Sequence, residues 1–140
     1  LKEKFTKLID ELQLNNNCLL HHTVSNIAEK YCMSSIFVLS SRYEGLPLVL
    51  GEAMAYGIAP VAFACPCGPR DMITNGKNGL LVENGNIEQL AKQICYLIEN
   101  ENIRIEMGRQ AKIRAKDFTM EVISRQWKSL FEELMEYAPQ

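Results

Sequence analysis

The sequence predicts an α/β fold, a Rossmann-like parallel sheet flanked by helices. Three observations carry that prediction. Short apolar runs at residues 36–39, 59–64 and 79–82 are continuous rather than alternating, as strands covered on both faces are. Stretches with helical periodicity separate them, and strands alternating with helices make a parallel sheet, because parallel neighbours need a crossover connection. The chain of 140 residues is 47% hydrophobic and 23% charged, ordinary for one globular domain. A chain of this length buries roughly 70% of its unfolded surface and needs no metal or disulfide staple.

Each element has its own justification. Leu1, Phe5, Leu8, Ile9 and Leu12 fall on one face of an opening amphipathic helix. Asn15-Asn16-Asn17 reads as a turn, and Cys18-Leu19-Leu20 as a short strand ending at His21-His22. Asn26 with Glu29 three residues on has capping-box character and starts a helix carrying Ile27, Ala28, Tyr31 and Cys32. Ser34-Ser35 breaks it before the buried strand Ile36-Phe37-Val38-Leu39. Ser40, Ser41 and Arg42 end that strand, and Glu44-Gly45 makes a loop. Pro47 suits the first position of a helix, where a missing N–H costs nothing. That helix runs from Leu48 until Gly57 and Pro60 stop it. After the strand at 59–64, the loop from Cys65 to Arg70 leads to a short helix around Asp71 to Thr74. Asn75-Gly76 and Asn78-Gly79 are turn dipeptides, followed by the strand at 79–82. Ile87, Leu90, Ala91, Ile94, Leu97 and Ile98 form a helical stripe, and a more polar helix spans about 101–116. Asp117 and Thr119 are candidate N-caps for a last helix with Met120, Ile123, Trp127, Leu130, Phe131 and Leu134 on one side. Four strands can be counted, without repeats or low-complexity segments.

Composition excludes several function classes. A net charge of −2 supplies no basic field for nucleic acid. Arg104, Arg109, Lys112, Arg114 and Lys116 cluster, but Glu99, Glu101 and Glu106 are interleaved with their start, so a solvated helix face is favoured over an anionic-membrane contact. Five cysteines are odd in number and lack a Cys-x2-Cys pair, so no zinc site is expected. Cys65-Pro66-Cys67 reads as a loop with two free thiols. Cys18, His21 and His22 lack a second cluster to complete a metal site. No run reaches the ~18 apolar residues of a membrane span, and no basic-plus-apolar leader opens the chain. A reduced cytosolic compartment is the default expectation.

The stretch SSRYEGLPLVLGEAMAYG, residues 40–57, concentrates the chemistry. A buried strand feeds a helix N-terminus through a loop carrying a carboxylate, and that N-terminus offers unpaired N–H groups and a positive dipole end to an anion. Glu44 and Glu52 frame it with seven residues between them. On one continuous helix two such acids would stand ~12 Å apart, too far for a glycosidase pair, although the loop frees Glu44 from that limit.

This Glu-x7-Glu, set in EGLPLVLGEAMAYG and followed by Pro60-Val61-Ala62 and by Asn75-Gly76-Lys77-Asn78-Gly79-Leu80-Leu81-Val82, resembles the signature of the retaining GT-B glycosyltransferases of the "glycosyltransferases group 1" family (family 4). The likeness covers roughly residues 14 to 135. It implies the C-terminal half of a GT-B fold lacking its first strands. The chain opens on a helix, and the right-handed crossover rule implies a strand before it. The expectation is therefore a single partial C-terminal nucleotide-sugar-binding domain, 1–140, from a two-domain enzyme whose N-terminal acceptor domain and upstream basic phosphate-binding residues are absent here. Residues 119–136 would form a helix crossing to that domain, leaving part of its apolar stripe exposed.

By the same resemblance, the chain is the donor-binding part of a retaining hexosyltransferase. The sugar would pass from a nucleotide-diphosphate sugar to a glycan or lipid-linked acceptor, in cell-surface polysaccharide biosynthesis. A noncatalytic nucleotide-sugar-binding or scaffold module is the alternative. The N–H groups of Leu48 and Val49 would take the diphosphate and Glu52 the ribose hydroxyls. Glu44 would serve catalysis and, with Gly45 and Leu46, bind the donor sugar. Residues His21 to Ser25 would frame the base. No DxD-like acidic pair suggests a diphosphate-bound metal, so metal-independent transfer without a cofactor is expected, with the isolated chain inactive. Localisation would be cytoplasmic, with room for peripheral contact at the inner membrane face and for self-association. The sequence departs from the family pattern at His21, where Gly is usual, at Gly51, where a large apolar residue is preferred, and at Asp71, where Glu is common. Cys67 is a further departure, in the family's Gly-containing loop.

Overall fold

The computed structural model describes residues 2–137, and the chain divides into two compact units between Lys30 and Tyr31. The first unit opens with α1 (Lys2–Glu11), whose Phe5, Leu8 and Leu12 are exposed; Leu1 lies outside the described residues. The Asn15–Asn17 turn forms as expected, the N–H groups of Asn17 and Cys18 donating to Leu14 O at 2.9 and 2.8 Å. The strand expected at Cys18-Leu19-Leu20 does not form, and Leu19 is 75% exposed. Three apolar residues make a strand only when a neighbouring strand takes up their backbone groups, and among the described residues none does so. Helix α2 (Ile27–Cys32) begins after Asn26, whose Nδ2 donates to Glu29 Oε1 at 3.1 Å.

The second unit holds a three-stranded parallel sheet, ordered β1 (Ile36–Leu39), β2 (Ala59–Phe63), β3 (Leu80–Val82). Val38 is level with Val61, and Val61 with Leu80. Central β2 is buried along its whole length. In β1 only Leu39 is buried, against the expectation of a strand covered throughout. Alternate residues of β2 face opposite sides. Ala59, Val61 and Phe63 join Leu80, Val82, Leu90, Leu97 and Met107 in one apolar cluster. Ala62 joins Leu39, Leu50, Met54, Met72, Ile73 and Ala111 in the other.

The helices supplying these residues are α3 (Leu48–Ala55), α4 (Pro69–Met72), α5 (Ile87–Glu99) and α6 (Glu101–Ala115). Gly57, at φ +77°, ends α3 as expected. Helix α4 starts two residues earlier than its expected position because Pro69 opens it. Asn86 caps α5 by accepting from the Gln89 N–H at 3.0 Å. Helix α6 is less solvated than its composition suggests, since Met107, Gly108 and Ala111 are buried. At Gly108 a Cβ would collide with the Gly57 carbonyl, so a glycine allows α6 to lie against the α3–β2 turn.

The basic residues of α6 are largely committed to the fold. Arg104 donates to the carbonyl of Leu97 at 2.6 Å and to that of Ile98 at 3.2 Å, capping the end of α5. Arg109 forks onto Glu106 at 2.7 and 2.8 Å, and together with Gln110 lowers that carboxyl to about 2. Arg114 reaches Asp71 O at 2.7 Å and Asp117 Oδ2 at 2.8 Å while lying over the Phe118 ring. A 3-10 turn, Lys116–Phe118, leads to α7 (Met120–Glu136), which begins after Thr119 and has no buried residue. Its stripe is open: Trp127 is 55% and Phe131 56% exposed, their rings stacked at 5.7 Å. Among the described residues no helix is long and apolar enough to cross a membrane.

Candidate functional site

Beyond the end of β1, residues 40–47 form the loop that carries Glu44. Asn84 Nδ2 donates to the Arg42 carbonyl at 2.9 Å, which ties this loop to the turn after β3. On another side the loop is backed by Gly68, at φ +72°, where a Cβ would collide with Pro47 and stand 2.7 Å from Gly45 O. The fold thus presses two loops together through a position that only glycine fills. The Gly68 N–H in turn donates to Asp71 Oδ2 at 3.0 Å, so Asp71 caps the start of α4.

Glu44 is half-buried and forms no ion pair with Arg42 or with any other described residue. Gly45 and Leu46 are exposed, with open space around the Gly45 Cα. Pro47 stands at the N-cap (φ −75°, ψ 93°) rather than at the first helical position, and α3 begins with Leu48. The Pro47 carbonyl accepts from Leu50 at 2.9 Å and from Gly51 at 3.3 Å. The N–H groups of Leu48 and Val49 find no acceptor among the described residues. Two free donors therefore stand at the positive end of the helix dipole.

One turn further along α3, Glu52 accepts a hydrogen bond from the Tyr31 hydroxyl at 2.8 Å. Tyr31 is only 6% exposed. Burial, followed by the Glu52 carboxylate, pushes its ionisation up to about 12. A groove of about 330 Å³ runs along α3 past Leu46, Leu48, Gly51, Glu52 and Ala55, walled by Met72, Ala115, Phe118 and Thr119. Glu52 is the charged member of that lining. Gly51 has a local reason here, because a Cβ there would stand 3.1 Å from Met72 Cε, so the methionine methyl fills the space a larger residue would take.

Of the six residues singled out in the sequence, Glu44, Gly45, Leu46, Leu48 and Val49 line one continuous loop and helix start, and Glu52 follows on the same helix. His21 to Ser25 belong to the first unit, where His22 Nε2 lies 2.6 Å from Lys2 Nζ. Among the described residues no three His, Cys, Asp or Glu side chains group to hold a metal ion. In the sequence Tyr31 stands out only as one of the helix residues with Ile27, Ala28 and Cys32. Its signal was the hydroxyl, since a buried tyrosine needs a partner.

The family model described as "Glycosyl transferases group 1" matches residues 1–114. An uncharacterized glycosyltransferase of Haemophilus influenzae is 33% identical over 129 residues, 92% of this chain and 36% of that protein. A poly(ribitol-phosphate) alpha-N-acetylglucosaminyltransferase of Staphylococcus aureus is 33% identical over 132 residues, 94% of this chain and 27% of that protein. The crystal structure of a mutant S. aureus TarM in complex with fondaparinux, alpha-GlcNAc-glycerol and UDP superposes with a TM-score of 0.87 at 33% identity, covering 93% of this chain and 27% of that one. The chain spans about a third or less of the length of these relatives. On its strand–loop–helix site, its parallel sheet and these matches, the chain belongs to the glycosyl transferases group 1 family, with the fold of its GT-B members.

Proposed function

We propose that this chain is the donor-binding part of a retaining glycosyltransferase, and that it holds a nucleotide-diphosphate sugar whose sugar passes to a glycan or lipid-linked acceptor. The observation that carries the proposal is the pair of unpartnered N–H groups at Leu48 and Val49, with Glu52 one turn beyond and Glu44 in the loop before. The UDP bound in the TarM complex makes a nucleoside diphosphate a fitting ligand.

Each group then has a chemical task. The two N–H groups bind the diphosphate, and their interaction strengthens as negative charge grows on the leaving group. The helix dipole adds about 0.3–1 kcal/mol, up to ~2 if partly buried. That is too little for two phosphate charges, so cationic side chains from the rest of the protein are expected to share the load. Glu52 accepts from the ribose hydroxyls, at roughly 1.5–3 kcal/mol for each hydrogen bond to a charged group. Glu44, held by the loop and free of an ion pair, faces the donor sugar and stabilises positive charge as the bond to diphosphate breaks. Gly45 and Leu46 offer their N–H groups to the sugar. No step requires a metal. Transfer needs an acceptor held against this donor in a closed cleft, which places the acceptor wall in the rest of the protein.

Ligand-observed NMR of the full-length protein with UDP-, GDP- and ADP-sugars tests the reading. One donor class is expected to bind, and Glu52→Gln to weaken it about tenfold or more. Failure of all three to bind, or undiminished binding by the variant, would overturn it.

A further inference from the structure

We propose that Tyr31 is a positioning residue for the donor site, holding the Glu52 carboxylate in the orientation that receives the ribose hydroxyls; this rests on the ribose role of Glu52 given above. The tyrosine ring is fixed on several sides. It belongs to an apolar cluster with Ala53 and Ile58. It also packs against Phe37 at 6.4 Å and Tyr56 at 5.3 Å between ring centroids. Because the ring cannot swing, its hydroxyl points to one place. That place is Glu52 Oε2 at 2.8 Å, with the Val49 carbonyl at 3.4 Å as a weaker second contact.

A glutamate on an exposed helix face ordinarily samples many rotamers. The bond from a rigid, buried donor removes most of that freedom. Tyr31 uses one of about four acceptor positions on the carboxylate, so both positions on Oε1 and one on Oε2 stay open, enough for a vicinal diol. The holder is also neutral. A lysine or arginine in its place would compensate the charge that the ribose hydroxyls are to use, whereas a tyrosine hydroxyl donates without adding charge at physiological pH. Through Val49 the same hydroxyl touches the helical turn whose N–H groups face the diphosphate.

The alternative is a core tyrosine that merely satisfies its hydroxyl, and sugar discrimination separates the two. Calorimetry of the full-length protein with UDP, GDP and ADP identifies the tightest nucleoside diphosphate, which is then compared with its 2′-deoxy and 3′-deoxy counterparts. The wild type is expected to prefer the ribonucleotide about tenfold, the size of one hydrogen bond to a charged group. Tyr31→Phe, which keeps the packed ring, is expected to cut that preference to about threefold or less. Equal weakening of ribo- and deoxynucleotides, with the preference intact, would show a structural role only and overturn the proposal. Glu52→Gln provides the separate check: if the preference survives in that variant, the ribose role fails and the proposal with it. Absence of binding by all three nucleotides likewise removes both.

Discussion

Tyr31 also makes a claim that needs no ligand. Burial and the neighbouring Glu52 carboxylate raise its ionisation from about 10 to about 12, so the folded chain holds this proton more tightly than the unfolded chain does. Stability linked to it is whole below about pH 10, declines as the unfolded chain loses its proton, and is gone once the pH passes about 12. Urea denaturation across that window is expected to show a steeper loss for the wild type than for Tyr31→Phe. Equal slopes would mean that the Tyr31–Glu52 bond is not formed in solution. Other residues divide by how much of their environment is local. The glutamates and the unpartnered amides could be named from the sequence, because a helix start depends on the chain within a few residues. The tyrosine and Arg114 act across the fold, on partners 21 and 43 positions away, and no local pattern announces them.

Gly108 sets how closely α6 approaches the rest of the fold. Alanine in a helix is favoured over glycine by ~1 kcal/mol, so a solvated α6 would gain from Gly108→Ala. Here the added methyl meets the Gly57 carbonyl, and Gly57 sits at positive φ in a tight turn, where neither backbone yields readily. Overpacking costs roughly 1–3 kcal/mol, so the net expectation is a loss of up to about 2 kcal/mol. A lowered thermal midpoint checks it, and a raised one would mean that α6 stands off from the turn. The same helix marks the limit of pattern reading. Its sequence looks polar all round, yet Met107, Gly108 and Ala111 are buried, because small residues present a narrow contact that periodicity of large apolar side chains does not register. Strands β2 and β3 were legible as continuous apolar runs, since both are covered on two faces. The run at 18–20 looked the same and forms no strand, for pairing depends on a partner that the run itself does not contain.

At the scale of the molecule, the proposed function makes the chain one wall of a glycosyltransferase cleft. It spans about a third or less of its relatives' length, and the exposed stripe of α7, with Trp127 and Phe131 stacked on it, leaves a broad apolar face open beside the sheet domain. The central claim is that Glu52 and Glu44 share one donor but differ in role. On the proposed function Glu52 meets the ribose, which does not change during the reaction, so its interaction would be equal in ground and transition states. Losing such uniform binding raises KM and leaves kcat nearly intact. On the same proposal Glu44 meets the sugar, whose charge grows as the bond breaks, so its loss would fall on kcat. The most direct measurement is steady-state kinetics of Glu52→Gln and Glu44→Gln in the full-length enzyme, with folding checked by circular dichroism. The account predicts a KM raised about tenfold or more for the first and a kcat lowered about 100-fold for the second. A kcat abolished by Glu52→Gln with only weakened binding in Glu44→Gln would reverse the assignment, and unchanged constants in both would place the site elsewhere.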